Sequence, residues 1–231
     1  MSWPLYPFET AHAGNMPAGR FFASRSYCLQ KISPKGAIMK SVFYGILISM
    51  ALSFTTACSG PSHMIMAKDT AITDIRTVKP EPGKAALVVT RTTSFGWAIE
   101  FDTYLDKKMI GVTKGRGFFV KRDIDPGYHY LIAKAESYET GKINFEAGRT
   151  YFIHYNPRPG WIRARISMYP QDPNITMADM DENCKEVVYD PKDPGEDLSD
   201  EDYNQAIKDY EKDLAEGEHK EYATYRGIEV K

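Results

Sequence analysis

The chain predicts a mainly β protein, an antiparallel β-sandwich or small barrel, with an acidic C-terminal segment carrying one short helix. Three observations predict it. Between Lys84 and Tyr169, short β-type runs follow one another with turn residues between them and no helical period. Within the runs, apolar and polar residues alternate with a period of two, as in strands covered on one face. Beyond residue 171 the composition turns acidic, and the one sustained apolar spacing there is helical.

The strands predicted in order are 85–91, 97–105, 109–113, 117–121, 128–135, 142–145, 150–155 and 162–169. In the second, Trp97, Ile99, Phe101 and Leu105 share a core face opposite Glu100, Asp102 and Asp106. In the last, Ile162, Ala164, Ile166 and Met168 oppose Arg163 and Arg165. Turn chemistry separates them. Asp106-Lys107-Lys108 closes a hairpin, Asp125-Pro126-Gly127 enters the fifth strand, and Glu146-Ala147-Gly148-Arg149 enters the seventh. The β domain therefore spans 84–170.

The remainder, 171–231, reads as an acidic tail. Residues 58–171 hold 17 basic and 11 acidic side chains, whereas 172–231 hold 7 and 19. A basic body with an acidic tail suggests that the tail folds back on its own domain, reaches a basic partner, or is simply solvated. A helix is expected over 200–216: Ser199 caps it, Asp200, Glu201 and Asp202 suit its positive end, and Gly217 stops it. Its stripe of Tyr203, Ile207, Tyr210 and Leu214 needs a surface to cover it, on this domain or on a partner.

Upstream of the β domain, Met39 to Cys58 carries Lys40, an apolar run from Ser41 to Phe54 too short for a comfortable membrane span, and small residues leading to one cysteine. This pattern resembles the signal peptide and lipobox of bacterial lipoproteins. The resemblance implies cleavage between Ala57 and Cys58 and a palmitate-type lipid on the Cys58 thiol, which makes the covalent lipid the sole expected cofactor. Thr55 stands where the lipobox usually has an aliphatic residue, so an uncleaved anchor or an ordinary secretory signal is the alternative. Ser59 after the cysteine is the residue type that, in Gram-negative lipoproteins, permits transfer to the outer membrane. Residues 1–38 make an implausibly long leader, so the true start is expected at Met39, and 58–83, with small residues and prolines, reads as a flexible tether.

Three motifs occur in one order: Tyr104-Leu105-Asp106-Lys107-Lys108-Met109-Ile110-Gly111, Asp125-Pro126-Gly127-Tyr128-His129, and Glu146-Ala147-Gly148-Arg149-Thr150-Tyr151-Phe152. Together they resemble a family of bacterial envelope lipoproteins built on a small β-sandwich domain of unknown function. The resemblance implies an Ig-like or transthyretin-like sandwich facing the periplasm. It brings no catalytic residue.

The residues themselves offer little chemistry. His129 and His154 lie in predicted strands and would approach each other only if those strands pair; His129 reads better as an anchor for the Pro-Gly turn. Asp179, Asp181, Asn183 and Asp190 have part of a calcium-loop spacing, but Cys184 replaces the required glycine, and an acidic linker is the better reading. Cys184 reads as a quiet thiol, since no intramolecular partner remains once Cys58 carries lipid. The candidate binding surface is Trp161 with Arg163 and Arg165, suited to a sugar ring or a peptide. The function expected is a lipid-anchored, non-enzymatic binding or structural module of the cell envelope, with the membrane, an envelope protein or a glycan as partner and no nucleic acid. The alternatives are a subunit of an envelope assembly or secretion machine and an envelope enzyme acting on glycan or peptide.

Overall fold

The computed structural model describes residues 60–68, 71–158 and 165–230, which lie within one compact unit, Cys58–Lys231. Among the described residues are eleven strands: β1 (Met64–Met66), β2 (Ala85–Arg91), β3 (Glu100–Leu105), β4 (Lys108–Lys114), β5 (Gly117–Ile124), β6 (Gly127–Lys134), β7 (Tyr138–Phe145), β8 (Arg149–Arg158), β9 (Arg165–Pro170), β10 (Lys185–Tyr189) and β11 (Ile228–Glu229). Three α-helices are described beyond β9, with β10 between the first two and β11 after the last: α1 (Pro173–Asp179), α2 (Asp200–Glu216) and α3 (Lys220–Thr224). The protein is mainly β, with two sheets.

One sheet has the order β1-β10-β5-β2-β8-β11, with β9 also paired to β8; the other is β4-β3-β6-β7. The four-stranded sheet is antiparallel throughout. The seven-stranded sheet is mixed, which corrects the antiparallel expectation: β2 runs parallel to β8, and β10 parallel to β5. The reason is a crossover. After β5 the chain leaves this sheet at Asp125-Pro126-Gly127, builds β6 and β7 in the other, and returns as β8 on the far side of β2. Alternation reports which face of a strand is buried, and it is silent on the direction of the neighbour.

Facing sides of the two sheets share one core. Leu87 and Val89 of β2, Phe119 of β5, and Ile153 and Tyr155 of β8 join Phe101, Val112, Leu131 and Ile143 of the other sheet in a single buried cluster. Phe101 meets Tyr155 edge-on at 6.3 Å, and the Tyr155 hydroxyl lies 3.0 Å from that of Thr103, so a polar pair is satisfied inside the core. A register shift at Thr103/Tyr104 breaks the alternation of β3, burying Tyr104 while Leu105 stays half-buried.

β2 is buried at every position because its second face is covered too. Ala86, Val88, Phe118 and Phe152 point into a second cluster with Ile75, Val78 and Cys184. This cover, and one edge of the sheet itself, come from two segments expected to be loose. Residues 58–83, read as a flexible tether, contribute β1 paired to β10 and a 3-10 turn at Ile75–Thr77 capped by Asp74. The stretch read as an acidic linker contributes α1 and β10. A few apolar residues, Met64, Ile75, Val78 and Val187, outweigh the polar composition by finding buried partners.

The helix at 200–216 has the expected bounds. The Ser199 hydroxyl accepts from the Asp202 N–H, and Gly217 ends it at φ 97°. It lies on β7 and the outer side of Tyr130, which Tyr203 and Tyr210 approach edge-on at 6.3 and 6.0 Å. α3 then places Tyr222, wholly buried, against Gly141 of β7, with its hydroxyl donating to the Met168 carbonyl of β9.

Candidate functional site

Ala57 and Cys58, the expected cleavage and lipid sites, lie outside the described residues, as do Trp161 and Arg163. Arg165 opens β9 opposite Arg158, and its side chain is also outside the described ones. What the structure places is the chain just after Cys58. The Ser62 N–H donates to Glu100 Oε1 at 3.3 Å, and Lys114 Nζ pairs with the same oxygen at 3.1 Å. Burial acts to raise the Glu100 carboxyl, but these two donors outweigh it and hold it below its usual range. The chain therefore joins the body at the corner where β3 begins and β4 ends.

The same corner carries the loop 92–99, and a buried arginine shapes it. Arg91, the last residue of β2, is wholly buried and donates from Nη1 to the Ile99 carbonyl at 2.8 Å and from Nη2 to the carbonyls of Phe95 and Gly96 at 2.9 and 2.7 Å. Its guanidinium carbon sits 4.7 Å from the centre of the Phe101 ring. Burial pushes its pKa down to about 10, so it stays charged at neutral pH. Gly96 takes φ 63°, a conformation that favours glycine, and the Ile99 N–H closes onto its carbonyl at 2.8 Å.

This clamp overturns one expectation. Trp97 was expected in the core at the start of the second strand, yet it is 60% exposed, and β3 begins only at Glu100. Phe95 beside it is 52% exposed. Alternation extended backward from Phe101 missed the turn because the residue that makes it, Arg91, acts from another strand. The signal available in the sequence was Gly96 between two aromatics.

A second candidate region is a groove along β4, the outer strand of the four-stranded sheet. A cavity of about 790 Å³ and a neighbour of about 570 Å³ share Lys108, Ile110, Lys121, Asp123 and Asp197. The edge is already blunted, since Asp197 Oδ1 accepts the Met109 N–H at 3.0 Å and the Leu198 N–H donates to the Lys107 carbonyl at 2.8 Å. Both signs of charge line it, and Lys121 pairs with Asp123 at 2.8 Å. It can hold a polar extended segment. It presents no nucleophile beside a base.

The other residues singled out are structural. His129 donates from Nε2 to the Asp125 carbonyl (3.0 Å), and its Nδ1 lies 2.8 Å from Asp106 Oδ2, tying the Pro-Gly turn to the neighbouring hairpin. His154 lies in the other sheet against Thr90 and Tyr169, so the two histidines are not brought together. The Asp179–Asp190 stretch is divided among α1, a turn and β10; Asp181 pairs with Arg116, and its Oδ1 accepts the Asn183 N–H at 2.9 Å. α1 is a helix entering the stretch that was read as an acidic linker. Cys184 is buried, and burial pushes its thiol up to about 11, which keeps it protonated. Among the described residues no group of three or more His, Cys, Asp or Glu is placed to hold a metal ion.

No family model matches the chain, and no solved structure matches it. An uncharacterized protein of Haemophilus influenzae is 31% identical over 120 residues, a match that covers 51% of this chain and 69% of that protein.

Proposed function

The chain belongs to the family of that uncharacterized Haemophilus influenzae protein, and we propose that it is a lipid-anchored envelope protein whose β body serves as a non-enzymatic binding or structural module. In this reading translation starts at Met39, residues 39–57 are removed, Cys58 carries the lipid, and the body faces the periplasm, more from the outer than the inner membrane. The two sheets form a sandwich of transthyretin-like outline. Its partner is an envelope protein or a glycan.

The observation that carries the reading is the run from Lys40 to Cys58, with its short basic start, apolar stretch and small residues before one cysteine. Each buried methylene contributes roughly 0.8 kcal/mol, so two or three acyl chains hold a protein that one would not. A second observation fits. The chain meets the body at Ser62, so Cys58 would hold the body close to the bilayer rather than at the end of a long tether.

Palmitate labelling and fractionation of cells making the full chain or its Cys58→Ser variant test this. The expected result is label on the wild-type protein in the membrane fraction, and neither label nor shortening of the precursor for the variant. A variant processed and membrane-bound like the wild type contradicts the reading.

A further inference from the structure

We propose that the loop 92–99 is a second membrane contact, laying Phe95 and Trp97 into the headgroup region of the phospholipid bilayer that holds the lipid anchor. The inference rests on the reading of Cys58 as lipidated and adds how the body stands on the membrane.

The first support is the side chains. Phe95 and Trp97 are 52% and 60% exposed on one short loop, two large rings left in water. The ring of Trp is apolar with one polar N–H, which suits the membrane–water boundary, where such rings concentrate.

The second is the clamp. Arg91 holds the carbonyls of Phe95, Gly96 and Ile99 with one buried guanidinium, and the Phe95 N–H donates to Thr93 Oγ1 at 3.1 Å. The loop is thus ordered with its rings outward, so little conformational entropy is lost when they enter another phase.

The third is where the chain leads. Ser62 binds Glu100, the residue after the loop, and Cys58 is four residues before Ser62. Four residues reach at most about 14 Å, so the chain length keeps the lipid site within that distance of Ser62, which itself binds the side chain at the loop's base. The Lys114-Gly115-Arg116 turn is at the same end, since a Cβ on Gly115 would sit 3.8 Å from the Trp97 carbonyl oxygen. Lys114 and Arg116 are already paired with Glu100 and Asp181. The contact therefore rests on the rings more than on attraction to anionic lipid, and it sets orientation while the acyl chains set retention.

The test uses the processed, lipidated protein carrying Trp161→Phe, in which Trp97 is the one tryptophan after Cys58. It is reconstituted into phosphatidylethanolamine–phosphatidylglycerol vesicles with or without acyl-brominated phosphatidylcholine. Trp97 emission is expected to shift to the blue and to lose most of its intensity with brominated lipid. A control with Trp97→Phe, Trp161→Phe and Tyr128→Trp puts the probe beside the Pro-Gly turn at the opposite end of β5, where Tyr128 is 70% exposed, and should be unaffected. Equal emission from Trp97 in both vesicle types, with the acyl mass present on Cys58, overturns the loop contact and leaves the anchor standing. Absence of the acyl mass overturns both.

Discussion

The segments covering the two sheets, residues 71–78 on the seven-stranded one and residues 199–225 on the four-stranded one, are held in different ways. The first is plugged in by Ile75 and Val78, 0% and 1% exposed, with the Val78 carbonyl accepting from the buried Thr150 hydroxyl at 2.8 Å. The second is held by tyrosines and charges. Tyr203 and Tyr210 flank Tyr130, Tyr222 reaches in beside β7, and Lys107 and Lys134 pair with Asp200 and Asp202 at 2.6 and 2.9 Å. The acidic tail thus meets the basic body through ion pairs, while the ion pair of the N-terminal cover, Asp74 with Arg76, is internal to that cover, and a carboxylate of the body, Glu186, accepts the Ile72 N–H at 2.6 Å. The first attachment, resting mainly on buried apolar side chains, should depend less on salt and pH than the second.

The largest break expected is Ile75→Ala, which empties a fully buried site and should lower the unfolding free energy by about 2–4 kcal/mol, equally in low and high salt. Urea unfolding at two salt concentrations checks this; a loss that shrinks with salt would put the two covers in one class. Next comes Gly141→Ala. A Cβ there would lie 2.7 Å from the Tyr222 ring, and the overpacking should cost about 1–3 kcal/mol. Combining it with Tyr222→Ala should give less than the sum of the single losses, because the clash then has no second party.

Glu139 sharpens the comparison through pH. Burial, with Asp213 and Glu221 adding negative charge, pushes its carboxyl from 4.5 up to about 7. The folded state thus favours the protonated form, so stability is highest below the unfolded value and falls as pH rises from about 4.5 to 7. Glu139→Gln should remove that slope and be more stable than the wild type at pH 8 by about 1–2 kcal/mol. Melting curves at pH 5 and 8 read it, and an unchanged slope would place the titration elsewhere. The smallest effect is Lys134→Ala, which removes a half-exposed pair and should cost about 0.5 kcal/mol in low salt and less in high salt.

How legible each region was follows from how local its determinants are. The helix α2 was readable to the residue because Ser199, the acids after it and Gly217 act on their own backbone. The hairpin at Asp106-Lys107, with Asp106 at φ 56°, and the turn before Gly127 were readable for the same reason. β2 was recognisable as a strand, but its second cover was not, since Ile75, Val78 and α1 find it only in three dimensions. The parallel pairings of β8 and β10 depend on the route of the chain between strands, which alternation does not record. At the candidate site, Cys58 lies outside the described residues and its reading rests on its sequence neighbours alone, whereas the exposed Trp97 was assigned to the core because the Arg91 clamp comes from outside the loop.

Intact mass spectrometry of the protein extracted from membranes tests the central claim most directly. The expected mass is that of a chain beginning at Cys58 with a diacylglyceryl group and an amide-linked acyl chain. A mass that retains residues 39–57, or a chain beginning at Cys58 without lipid, would contradict it.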